Sequence, residues 1–218
     1  MKNIFFSIYF MFFCLFLQSQ NKSVLAKYTS EDIKIDGVLN ETSWSKVLPA
    51  TNFYQYFPTD TAQAKSQVEI KFMFSDRNLY VGIKVYAKGK DYIIPSLRRD
   101  FRAGGSDNIT LMFDTFNDGT NAFIFGSNPY GVRREILLSG GGNDLRGFNG
   151  AWDTKWFGES KIHDDHYILE WKIPLSAFKY REGETKWRFN SYHFDTQDNE
   201  RHTWMNIPQN QFIFSLAY

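Results

Sequence analysis

The stretch from Ser106 to Gly131, SDNITLMFDTFNDGTNAFIFGSNPYG, constrains the fold most, because it writes two strands, their reversal and an exit turn without interruption. Ile109, Leu111 and Phe113 alternate with Asn108, Thr110 and Met112, and Asn117-Asp118-Gly119 supplies a tight turn before Asn121 to Phe125 runs back. A period of two that reverses at Asn-Asp-Gly is a hairpin of an antiparallel sheet.

Two further hairpins follow the same pattern. Val68, Ile70, Phe72 and Phe74 lead through Asp76-Arg77-Asn78 into Leu79, Val81, Ile83 and Val85. Trp156 to Ile162 leads through His163-Asp164-Asp165-His166 into Tyr167, Leu169, Trp171 and Ile173, and Pro174 stops that strand because it has no N–H to give a neighbour. Trp187 to Phe194 and Phe212 to Ala217 are expected as later strands. Helical signal is confined to a short turn after Asn40, through Trp44 and Val47, and another at Leu175 to Phe178. Many short strands with little helix predict an all-β fold, an antiparallel β-sandwich. Trp44, Trp171 and Trp187 fall on the apolar phase of their segments and are expected in its core.

A chain of 218 residues can bury roughly 70% of its unfolded surface as one domain. Its net charge of +1 argues against nucleic acid as a partner, since phosphate binding needs a basic excess. Aromatic residues make up 18%, which suits strands and also sugar- or protein-facing platforms. Lys2 followed by the apolar run Ile4 to Leu17, with small Ser19 as a cleavage point, has the layout of a cleavable signal peptide over residues 1–19. That run is short for a membrane span, so the mature domain, 27–218, is expected without one, exported to the periplasm, to an outer-membrane-associated position or to the outside. Cys14, the one cysteine, lies inside the leader, so the mature chain can form no internal disulfide.

Ile35-Asp36-Gly37 with Glu41 and Trp44, Leu79-Tyr80-Val81, Ser106-Asp107 leading to Phe113-Asp114, Asn128-Pro129 with Gly131, Trp152-Asp153, and Glu170 ahead of Ile173-Pro174 form an ordered set. That set resembles family 9 carbohydrate-binding modules. The likeness spans about Ile33 to Tyr218. The wording Asp114 to Asp118 and the closing Trp204, Pro208 and Phe212 look like the version found at the N-terminus of large exported bacterial proteins with a β-rich C-terminal region. The resemblance implies a jelly-roll-type sandwich, binding of a polysaccharide or oligosaccharide, and a partner hydrolase in polysaccharide breakdown. In sugar-binding members two tryptophans clamp a terminal ring. Here the first position falls at about Gly104, with Phe101 the nearest aromatic, and the second near Asn206, with Trp204 close by. A charged acceptor and an arginine of those relatives fall at Thr110 and Gly126, whereas Asn128 matches.

A neutral sugar needs a flat aromatic under its ring face and planar polar groups at its hydroxyl rim. Phe101, Asn128, Trp152 and Trp204 are therefore the candidate carbohydrate-binding residues, with Trp152, between Gly150 and Asp153, the candidate exposed platform. Plainer alternatives stand beside three of them: packing for Trp152, as for its neighbour Trp156, and for Trp204, and an ordinary turn for Asn128-Pro129-Tyr130-Gly131. Asp114, Asn117 and Asp118 could gather oxygens around calcium, or serve the turn alone. His163 and His166 have metal-pair spacing but sit in a polar turn. Arg98, Arg99 and Arg102, in the loop from Lys88 to Gly105, are a solvated face, a docking surface or a reader of acidic glycans. The glycine-rich segment Ser139 to Gly150 is a second loop suited to binding.

No nucleophile elbow, zinc helix or phosphate loop is present, and Asp195, Asp198 and Glu200, expected in a polar loop, cannot be paired for glycoside hydrolysis from sequence. The chain stops directly after the strand expected at Phe212 to Ala217, so a missing C-terminal β-rich region is a further expectation. Two roles remain open: a secreted glycan-holding module without required cofactor, and a docking domain that binds no sugar.

Overall fold

The computed structural model describes residues 22–218; the expected leader with Cys14 lies outside them. Strands among the described residues are β1 (Lys27–Tyr28), β2 (Tyr54–Phe57), β3 (Val68–Phe74), β4 (Asn78–Tyr86), β5 (Asn108–Asp114), β6 (Ala122–Ser127), β7 (Arg133–Leu138), β8 (Phe148–Asn149), β9 (Phe157–Ile162), β10 (His166–Pro174), β11 (Arg188–Asp195) and β12 (Glu200–Thr203). They form a five-stranded sheet in the order β1-β3-β4-β10-β9 and a seven-stranded sheet in the order β2-β12-β11-β5-β6-β7-β8. Pairing is antiparallel except between β1 and β3, where Lys27 lies parallel opposite Met73.

All three expected hairpins form: β3 with β4, β5 with β6, and β9 with β10. The apolar phases of both sheets meet in one core, where Ile70, Val81, Ile83, Leu169 and Trp171 of one sheet face Ile109, Leu111, Phe113 and Phe125 of the other. This face-to-face burial, about 1.5–3 kcal/mol for each large apolar side chain, holds the sandwich closed.

Four expectations change. Phe212 to Ala217 is a chain of turns rather than a strand. Ile213, Phe214 and Leu216 pack instead on Met112, Ile124 and Leu138, on the outer face of the seven-stranded sheet. The supposed polar phase of β5 is therefore buried too, and Thr110 and Met112 are almost wholly inaccessible. The short helix α1, Thr42–Ser45, starts from Glu41 with no side-chain cap, so Asn40 does not cap it. Asp195 and Glu200 close a tight hairpin between β11 and β12, and Glu200 is buried under Lys65, Gln55 and His202 rather than exposed in a loop. Trp44 and Trp171 are sealed as expected, whereas Trp187 is half-buried against the core. Part of the outer face of the five-stranded sheet is covered as well: Ile33, Trp44 and Val47 lie on Met73 and Tyr80, and a Cβ at Gly82 would stand 2.9 Å from a Leu39 methyl and 3.1 Å from the Trp44 ring, so a side chain there would push this cover outward.

Candidate functional site

The polar start of β5 fixes the long loop that precedes it. Asp107, 2% exposed, accepts from the backbone N–H groups of Ile93 and Thr196 at 2.6 and 2.8 Å. Burial raises its carboxyl pKa, and the Thr196 bonds pull it back. Asn108 donates through Nδ2 to the carbonyls of Ala103 and Ser106. Farther up the loop, Asp100 donates its N–H to the Arg133 carbonyl at 3.0 Å, so the strap 98–103 runs along β7.

Phe101, brought down by that strap, is 7% exposed and lies 5.9 Å from the Arg134 guanidinium. Its ring is a lid on the sheet and offers no free face. Asn128 is fully buried: its Oδ1 accepts from the N–H groups of Tyr130 and Val132, each at 3.0 Å, while Nδ2 has no acceptor among the described residues. Trp204 is 4% exposed, donates from Nε1 to the Thr51 carbonyl and packs on Phe189. Trp152 is half-buried, with ring centroids 5.5 and 5.8 Å from Phe123 and Phe125. Of the four candidates, only Trp152 keeps appreciable surface, and the four are not gathered around one opening.

Other features of the sequence do converge. Arg99 of the strap donates to the Glu135 carboxylate, to Asp153 at 3.2 Å and to the Thr154 carbonyl at 3.0 Å. It thereby ties the arginine loop to the Trp152-Asp153 segment. Trp156 donates from Nε1 to the other Glu135 oxygen at 3.0 Å, and Arg133 donates to the Trp156 carbonyl. Burial pushes the Glu135 carboxyl pKa up; Arg99 and Trp156 pull it back. Beside this knot opens a cleft of 240 Å³ lined by Leu97, Arg99, Tyr130, Gly131, Val132 and Arg133.

Tyr130 is the feature that residue-by-residue reading passed over. The signal lay in the turn itself. Gly131 donates to the Asn128 carbonyl at 2.9 Å and takes φ +75°, a conformation glycine adopts without strain. With both Asn128 acceptors spent inside the turn, the next aromatic projects outward, and Tyr130 is 56% exposed. An open phenol ring beside two guanidinium groups can stack on a sugar face and donate to its hydroxyls.

The polar positions that the resemblance maps to 110 and 126 are rebuilt. A Cβ at Gly126 would stand 2.8 Å from Thr110 Oγ1 and 3.1 Å from Arg134 Cγ, so Arg134 crosses from the next strand over the bare glycine. In a wider groove of 440 Å³ between β1 and α1 the Thr29 and Ser43 hydroxyls lie 2.9 Å apart and Glu31 accepts from the Ser43 N–H. The hairpin carboxylates are similarly engaged: Asp114 accepts from the N–H groups of Phe116 and Gly119, and Asp118 from Thr120. Among the described residues, no cluster of three or more metal-ligating side chains occurs. His163 and His166 stack with centroids 4.3 Å apart.

No curated protein matches the chain. A family 9 carbohydrate-binding module from Caldicellulosiruptor kristjanssonii solved with cellotriose aligns with a TM-score of 0.53 and 18% identity over 82% of each chain. A module of that family and organism solved with glucose gives 0.51, 18% and the same coverage. A candidate carbohydrate-binding protein from Bacteroides uniformis gives 0.60 at 14% identity, covering 82% of this chain and 87% of its own. At these identities the likeness carries the fold. The carbohydrate family 9 binding domain-like family matches residues 35–212, and the chain belongs to it.

Proposed function

We propose that this chain is a non-catalytic carbohydrate-binding domain, exported from the cell, that holds a poly- or oligosaccharide for an attached or neighbouring glycoside hydrolase. The observation that carries the reading is the cleft in which the exposed Tyr130 ring stands beside Arg99 and Arg133 in a chain of this family. Family 9 structures bound to cellotriose and glucose support a saccharide as the ligand class. The reading requires no metal: Asp114 and Asp118 already accept from backbone N–H groups of their own turn, which supports a turn role, and EDTA is expected to leave binding and melting unchanged.

Calorimetry against a panel of neutral and acidic oligosaccharides tests the proposal. Saturable binding is expected, and Tyr130→Ala should weaken it about tenfold, ~1.4 kcal/mol, by removing the stacking face. Trp204→Ala and Trp152→Ala should act on stability first, because both rings pack against the core. The second reading, a docking domain that binds no sugar, draws support from the sealing of Trp204 and Phe101. It prevails if no glycan binds, and an unchanged Tyr130→Ala affinity removes the cleft from the account.

A further inference from the structure

Arg134 has more donors than its surroundings use. A guanidinium carries five N–H groups and keeps its charge at any ordinary pH. This one is 4% exposed, and its Nε is buried without an acceptor. Among the described residues the arginines in ion-pair contact are Arg99, Arg146 and Arg188, so Arg134 has no carboxylate. The Phe101 ring on one side does nothing for its N–H edge. Asn128 lies two residues beyond Gly126, the residue paired with Arg134, so alternation puts its side chain on the same outer face; its Nδ2 is likewise sealed and unspent. Two donor groups on one face of the sheet are thus buried without an acceptor. Burying a charge and an amide without partners is costly, and a planar, acceptor-only, anionic group would satisfy both.

The surroundings favour an anion. Arg98 and Arg102 stand exposed on the same strap without ion-pair contacts among the described residues, and Arg133 bonds only a carbonyl. The cover is held at Arg99, Asp100 and Ala103, and its freedom lies in the glycines just beyond Phe101. Gly104 and Gly105 follow Phe101 with open space around both, and Asp100, ahead of it, holds φ +59°, a region unfavourable to a residue with a side chain.

We propose that the face of the seven-stranded sheet beneath Phe101 is a subsite for a sugar carboxylate, the hexuronate residue of an acidic glycan. Arg134 takes the carboxylate in a two-point contact, Asn128 donates to it, and Phe101 closes over the ring. The proposal rests on the carbohydrate reading above and narrows its ligand.

The experiment measures binding of oligogalacturonate and glucuronate against cello-oligosaccharides and glucose at matched ionic strength, for the chain and for Arg134→Met. Uronates are expected to bind more tightly, and Arg134→Met should cut the uronate-to-neutral affinity ratio at least tenfold while its melting temperature holds or rises. Neutral sugars bound as tightly as uronates, with a ratio untouched by Arg134→Met, would overturn the subsite and leave the carbohydrate reading standing. Binding of neither class defeats both. A melting shift reproduced by sodium chloride alone marks a general ionic effect and also overturns the subsite. Should Arg134→Met fail to fold, Phe101→Ala serves: faster uronate association is expected, and unchanged association and affinity refute the closing ring.

Discussion

Glu135 and Arg99 form a pair whose two halves are unequally protected. The carboxylate is 1% exposed at the side chain, the guanidinium 39%. Removing Arg99 strands a buried charge, whereas removing Glu135 frees a half-solvated arginine that still has Asp153, the Thr154 carbonyl and water. Arg99→Ala should therefore cost about 2–4 kcal/mol, and Glu135→Gln, which keeps an acceptor for Trp156, about 1 kcal/mol. Urea denaturation of the two variants measures the difference, and equal costs would refute the asymmetry. Nothing in the spacing of Arg98, Arg99 and Arg102 singles out Arg99. Its partners lie 36 and 54 residues away, and such pairings are set by register between strands rather than by local pattern. Tyr130 was closer to legible: the Asn-Pro-Tyr-Gly turn was visible, and only its consequence for the ring's direction had to be drawn.

Among elements, the hairpins were legible because their apolar residues keep a period of two and their turns carry Asn, Asp and Gly. The covering segments were not. Residues 213–216 have the composition of a strand, yet they lie across Met112, Ile124 and Leu138 without strand pairing. Met112 is the trace they leave in β5: a large apolar side chain on the phase assigned to solvent. Gly142 fixes where this cover docks. A Cβ there would stand 2.2 Å from the Phe214 carbonyl oxygen, and its φ is +67°. Gly140 has nearly the same φ, +68°, with nothing within 4 Å. Gly140→Ala should therefore cost about 1 kcal/mol, from left-handed backbone strain alone. Gly142→Ala should cost about 2–4 kcal/mol by adding steric overlap, and should expose 206–218 to limited proteolysis. Equal melting temperatures for the two variants would mean that the cover does not dock at Gly142.

Across the described residues each sheet carries a cover on part of its outer face besides the shared core, so polar groups are sealed on either side of the sandwich and the pH response has two opposing parts. Glu170 lies under the 33–47 cover, accepts from the N–H groups of Asp36 and Gly37 and from Trp44 Nε1, and is driven up to about 7 by burial. Glu41 adds repulsion. Its folded value stands above its unfolded one, so the stability it contributes is complete below about 4.5 and lost as pH rises through about 7. His193 is the reverse case: burial, with His202 beside it at 3.0 Å, holds its imidazole well below the usual 6.5. That stability is present above 6.5 and lost as pH falls. Because the windows overlap, the melting curve of the parent chain alone cannot separate them, whereas differences from variants can. The gap between the parent and Glu170→Gln should shrink from pH 5 to 7.5, by up to about 3 kcal/mol. The gap between the parent and His193→Gln should widen over the same range. A gap that stays constant for Glu170→Gln would mean that this carboxyl titrates alike folded and unfolded, and that the cover over the five-stranded sheet admits water to it.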